Sequence, residues 1–196
     1  MELLESFITP ITFENKQEFL KDLVNKTDPL IKESKKRNKD SLTYPSPSLM
    51  TNKDFSYFHE YVGKKSSEFL FNCGYDVESY KLAIVESWVQ EFSKMGGYHN
   101  THSHSNTHVN GFYFLKCSDK TSYPIFHDPR AMAKALHLKK QKTEGVYPAD
   151  DKVVVKPTPG TLILFPGYLE HEFVLSKEKD TFRFMHFNIQ AIPNGV

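Results

Sequence analysis

From Tyr80 onward the sequence becomes a run of short β-forming segments, and this change of texture limits the fold more than any other feature. The segments 81–92 (KLAIVESWVQEF), 109–117 (VNGFYFLKC), 153–156, 161–165 (TLILF), 172–176 and 181–191 (TFRFMHFNIQA) are rich in Val, Ile, Phe and Tyr. Gly, Pro, Asn and Asp separate them, as turn residues separate strands. The chain before Tyr80 is patterned differently. In 13–37, Phe13, Phe19, Leu20, Leu23, Val24, Leu30 and Ile31 recur near helical spacing among Lys, Glu and Asp. Residues 38–52 hold two prolines and five Ser/Thr and read as a loop. A second helix is expected from Asp54 to Asn72, with Phe55, Phe58, Tyr61, Val62, Phe69 and Leu70 as its buried stripe and Gly74 at its close. Helices followed by many short strands predict a mainly β fold, a sandwich or barrel with flanking helices. Residues 129–150 interrupt the strands, beginning PRAMAKALHLKKQ, either as a short helix or as a lid-like insert.

The 196 residues suit one domain, with 1–79 as helical support and 80–196 as the β core. Sixteen Phe and ten Tyr supply a packed interior rather than a disordered chain. The 25 basic and 24 acidic residues nearly cancel, which gives no electrostatic case for nucleic acid or an anionic membrane. Two cysteines, Cys73 and Cys117, make no disulfide framework and are expected as buried free thiols. The start MELLESFITPITF lacks a basic leader, and no apolar run approaches the ~20 residues of a membrane span. A soluble cytoplasmic protein is therefore expected, with its oligomeric state open, homo-oligomer included.

Four of the nine histidines crowd into YHNTHSHSNTH at 98–108. A His-rich surface loop is one reading. Strand geometry supplies another, because side chains two apart share a face, so His102 and His104 can chelate one ion. His99 and His108 then fall to supporting or surface positions. A third ligand must come from elsewhere, and His171 stands after an apolar strand (TLILF) and a Pro166-Gly167 turn. Further on, Arg183 lies in the apolar alternation TFRFMHFN. A buried guanidinium there is costly unless it meets an anion, and its planar fork suits a carboxylate. An outward-facing edge residue is the competing reading.

Taken together, HSH at 102–104, NGFYF at 110–114, FHDPR at 126–130, PTPGTLILFPGYLEH at 157–171 and RFMHFN at 183–188 resemble the 2-oxoglutarate- and iron(II)-dependent oxygenases. The likeness is strongest to a subfamily of small members. Its pattern runs H-x-H, S-G-v-y-Y, f-x-D-P-R, P-x-x-G-x-L-v-l-F-P-x-x-l-x-H and R-x-s-i-x-F-N. The opening FITPITF and Trp88 extend the resemblance more weakly.

The resemblance implies a double-stranded β-helix, the cupin-like jelly roll, with Fe(II) and 2-oxoglutarate as cofactors. It implies hydroxylation of a small-molecule or peptidyl substrate by O2, with release of succinate and CO2. His102 and His171 match the family's metal histidines. His104 falls where most of the superfamily has Asp or Glu, so three neutral imidazoles replace the usual two histidines and a carboxylate. Arg183 matches the residue that binds the far carboxylate of 2-oxoglutarate. Tyr113 matches a co-substrate-contacting tyrosine, with core packing as its alternative. Asp128, Arg130 and Asn188 are candidates for supporting the ligands, with D-P-R turn chemistry as the alternative for Arg130. Tyr44, Phe55 and Tyr57 line a substrate cleft or pack in the core. Two other classes stay open: a cupin-like three-His metalloprotein that uses no oxo-acid, and a structural jelly roll without catalysis.

Overall fold

The computed structural model describes residues 9–94, 96–130, 138–139, 150–175 and 180–195. Most of the insert expected over 129–150 lies outside them. Among these residues, ten strands form two antiparallel sheets. The large sheet has the order β1 (Thr12–Asn15), β8 (Thr161–Pro166), β5 (Val109–Lys116), β10 (Arg183–Pro193), β3 (Tyr80–Phe92) and β2 (Thr43–Pro45). The small sheet runs β4 (His99–His102), β9 (His171–Phe173), β6 (Pro124–His127) and β7 (Lys152–Val154). Two helices, α1 (Leu20–Arg37) and α2 (Ser56–Asn72), pack on the outer face of the large sheet. This is the mainly β fold with flanking helices that the strand texture predicts, in the jelly-roll form that the resemblance implies.

The central strands β5, β8 and the first part of β10 are buried on both faces, so alternation decides which core each of their side chains enters. From β10, Met185, Phe187 and Ile189 join the helix-side core, with Val109, Tyr113 and Leu115 of β5 and Phe58, Val62 and Phe69 of α2. Phe184 joins the core between the sheets, with Phe112 and Phe114 of β5, Phe165 of β8, Phe126 of β6 and Phe173 of β9. The buried side chains of α2, Phe58, Val62, Ser66, Phe69 and Leu70, follow helical spacing. Gly74 then takes the left-handed φ of +91° that stops the helix.

The N-terminal third departs from the expected helix–loop–helix. Phe13 sits in β1, because Thr12–Asn15 pairs with Thr161–Leu164, so α1 begins only at Leu20. Inside the expected loop, Thr43–Pro45 pairs with Gln90–Phe92 as an edge strand, the position where a proline is tolerated. Residues 1–79 therefore supply two strands to the large sheet as well as both helices. Tyr44 and Phe55 are buried in the core rather than lining a cleft. Tyr57 donates its hydroxyl hydrogen to Asp22 (2.5 Å) and packs on Phe19. Cys73 and Cys117 are unpaired and only partly buried. Burial pushes the Cys117 thiol up to about 12, and it bonds the Pro157 carbonyl.

Gly111 lets β5 and β10 pack at this distance. A Cβ there would lie 2.2 Å from Cζ of Phe187 and 2.9 Å from Cδ2 of Leu164. Gly111→Ala is expected to lower stability by about 1–3 kcal/mol through overpacking, read as a fall in the denaturation midpoint.

Candidate metal centre

Antiparallel pairing of β4 with β9 sets His102 opposite His171 across the small sheet. His104 is not on that strand. β4 ends at His102, and the chain turns so that the His104 N–H bonds the Gly167 carbonyl (3.0 Å). The expected i, i+2 strand pair is thus replaced by a strand end and a loop. The turn between β8 and β9 places His104 instead. A Cβ at Gly167 would lie 2.3 Å from the Thr107 carbonyl oxygen, so only glycine allows the two loops this close.

Ligand atoms of His102, His104 and His171 all lie within 4.8 Å of one another. The Nδ1 of His102 meets the Asn100 carbonyl (2.7 Å), and that of His171 meets the Leu169 carbonyl (2.9 Å). Such bonds place the ring proton on Nδ1 and leave Nε2 bare, the arrangement of metal-binding histidines. The Nε2 atoms of His104 and His171 are buried without a partner. Burial pushes the His171 imidazole down to about 3 and that of His104 to about 4, with the neighbouring histidines adding repulsion. Both are neutral at pH 7. Three converging imidazoles, two with bare buried Nε2 atoms, fit a divalent cation such as Fe(II).

Asn188 supports this group. Its Nδ2 lies 3.2 Å from His104 Nδ1 and also bonds Glu86, while its buried Oδ1 has no partner.

Arg183 is elsewhere. It leaves β10 on the helix side, the face of Met185 and Phe187, whereas Phe184, His186 and Asn188 face the space between the sheets. Its guanidinium bonds Glu91 (2.7 and 2.6 Å), Asp28 (2.5 Å) and Thr27 (3.2 Å). Lys35 also pairs with Glu91. The expected co-substrate anchor is therefore corrected to a buried structural ion pair. The reason is parity. The pattern R-x-s-i-x-F-N keeps its arginine and asparagine six positions apart and on one face. Here Arg183 and Asn188 are five apart and on opposite faces, and buried Phe182 holds the inward position.

Tyr113 is corrected for the same reason. It faces the helices, packs edge-on against Phe58 (5.4 Å) and donates its hydroxyl hydrogen to the Lys16 carbonyl (2.5 Å). Asp128 is buried at the end of β6 and binds Arg130 through both its backbone N–H and its guanidinium. That is D-P-R turn chemistry, away from the three histidines. His108 is exposed and accepts from the Ala191 N–H. His99 faces the inter-sheet core and bonds Gln90 (2.7 Å).

One residue absent from the expected site is His186. It is 2% exposed, neither ring nitrogen has a partner, and it stacks on His104 (centroids 5.0 Å) and leans on Trp88 (4.3 Å). Its signal in the sequence is its even spacing from Asn188. With Glu86 and His104 it forms a second set of ligand atoms within 4.8 Å, which would share His104 with the first.

Fold and centre together define a jelly-roll protein with a facial set of histidines at one end of the barrel. The family described as "Putative 2OG-Fe(II) oxygenase" matches residues 86–188, and the chain belongs to it. Its enzymes use Fe(II) and 2-oxoglutarate with O2. AviO1 from Streptomyces viridochromogenes Tue57 shares the fold at 13% identity and TM-score 0.66, over 96% of this chain and 93% of that one. EctD from S. alaskensis, crystallised with 2-oxoglutarate and 5-hydroxyectoine, gives 10% identity and 0.63 over 93% and 72%. A Pseudomonas putida prolyl-4-hydroxylase gives 9% and 0.58 over 96% and 95%. No curated protein matches the chain by sequence.

Two outcomes are expected. The wild-type chain takes up one Mn(II) or Fe(II) per molecule by elemental analysis, and His102→Ala or His171→Ala abolishes that uptake. Metal uptake undiminished in both variants would remove the triad. Glu91→Ala leaves the Arg183 guanidinium buried beside Asp28 alone, so the fold loses about 3 kcal/mol or more in chemical denaturation.

Proposed function

We propose that His102, His104 and His171 hold the iron of a 2-oxoglutarate-dependent hydroxylase, and that its substrate enters through a cavity bordering His104. The observation that carries this reading is the convergence of three imidazoles, two of them with buried, partnerless Nε2 atoms, in a chain of this family. When bound, Fe(II) and 2-oxoglutarate supply the oxidative chemistry, which consumes O2, releases succinate and CO2 and inserts oxygen into a substrate C–H bond.

The residues around the site prepare it for that chemistry. Neutral imidazoles leave the cation's full 2+ charge in place, which favours an anionic chelator. On the side between the sheets, Phe112, Phe126 and Phe165 pack against His171 and keep water from it. On the other side a cavity of about 1060 Å³ opens at Ser103–His108 and runs between Pro166, Tyr168, Leu82 and the C-terminal end of α2. Its size accommodates a small molecule or a peptide segment, and its mixed lining of Tyr75, Tyr80, Leu70 and Asp76 suits an amphipathic substrate.

Family membership, rather than Arg183, supports 2-oxoglutarate over a cupin-like site that uses no oxo-acid. In the test, purified protein is incubated with Fe(II), ascorbate, O2 and 2-oxoglutarate, and succinate is measured. Succinate release that disappears on His171→Ala is the expected result. Absence of 2-oxoglutarate turnover in iron-loaded wild type, across a panel of small-molecule and peptide primes, would sink the proposal.

A further inference from the structure

Buried polar atoms without partners are few in folded proteins, and a cluster of them marks where something else binds. Among the described residues, six of the eight such side-chain atoms sit around one end of the barrel. They are His104 Nε2, His171 Nε2, both ring nitrogens of His186, Asn110 Nδ2 and Asn188 Oδ1. The cation accounts for the first two. Asn188 spends its amide Nδ2 on Glu86 and His104. The atoms of His186 and Asn110 remain, with Asn188 Oδ1 beside them.

Both residues face the space between the sheets. Asn110 pairs with Asn188 across β5 and β10, and His186 pairs with Phe112 one step deeper. His186 stacks directly on His104, beside the expected cation. Deeper still the wall becomes hydrocarbon, with Phe184, Phe182, Phe92 and Phe173 in mutual contact. The other polar pair on this face, Gln90 and His99, is already bonded to itself. Arg183 is turned away and held by two carboxylates.

We propose that His186 binds a carboxylate of the oxo-acid co-substrate as a hydrogen-bond donor, with the Asn110 amide as a second donor, in the role that sequence alone gives to Arg183. This rests on the function proposed above. Geometry carries it: both residues lie between the sheets beside the three histidines, and their buried polar atoms meet no protein group. Glu86 stands at the same edge, with its carboxylate near His104 and His186.

The experiment is anaerobic equilibrium dialysis of labelled 2-oxoglutarate against Mn(II)-loaded protein, with bound Mn(II) counted in parallel. His186→Leu keeps the side-chain volume and removes the donor. It is expected to retain one Mn(II) and to weaken 2-oxoglutarate binding roughly tenfold or more, the effect of a hydrogen bond to a charged group. His186→Asn restores a neutral donor and recovers part of the loss, which a purely structural role would not produce. Unchanged affinity in the leucine variant overturns the inference, as does equal weakening in both variants. Loss of Mn(II) from the leucine variant also overturns it, by making His186 a metal ligand with Glu86 and His104. If Mn(II)-loaded wild type binds no 2-oxoglutarate, the proposed function itself falls. If wild type binds and His186→Leu binds equally, only this inference does.

Discussion

The central position of β10 decides which residues of the large sheet reach the space beside the three histidines. It pairs along its length with β3 on one side and over Arg183–Ile189 with β5 on the other, and that part of β10 is buried. One face of β10 closes the core under the helices, and the other closes the core between the sheets. Each side chain of the strand is thereby committed to one of two environments with no route between them. Arg183 and His186 are three residues apart and serve opposite faces.

The two faces handle charge in contrasting ways. On the helix side a guanidinium is buried, and the fold surrounds it with Glu91, Asp28 and Thr27, while Lys35 balances Glu91 from the solvent side. Asp28 shows the consequence. Its partial burial raises its pKa, but hydrogen bonds from Lys116 and Arg183 outweigh that and hold the carboxyl below its usual range. Its contribution to stability is present above the ordinary carboxylate pKa and is lost as pH falls through the lowered value. Between the sheets there is no such compensation. The buried ring nitrogens there stay neutral because burial and mutual repulsion oppose protonation.

Much of the fold was legible in the chain. Short β-rich segments separated by turn residues locate six of the ten strands, and helical spacing locates α2 from Asp54 closely. His99–His102 was anticipated only through the pairing of His102 with His104, and Pro124–His127 was not anticipated. Thr12–Asn15 and Thr43–Pro45 lack a pattern of their own and exist because the edges of the large sheet offer them partners. At the site, His102 and His171 were legible because each sits in a recognisable local motif. His104 was legible as a neighbour but for an incomplete reason, since a loop contact to Gly167 rather than strand alternation carries it inward.

The sequence by itself determined the class of fold, the three histidines that meet and the family to which the chain belongs. Local spacing and turn chemistry are sufficient for these. Tertiary structure alone decided which face of β10 each residue occupies. Strand parity is absolute once the register with β3 and β5 is set, and that register depends on residues far away in the chain. A shift of one position therefore turned Arg183 into a structural ion pair and left His186, unremarkable in the sequence, as the partnerless donor beside the histidines.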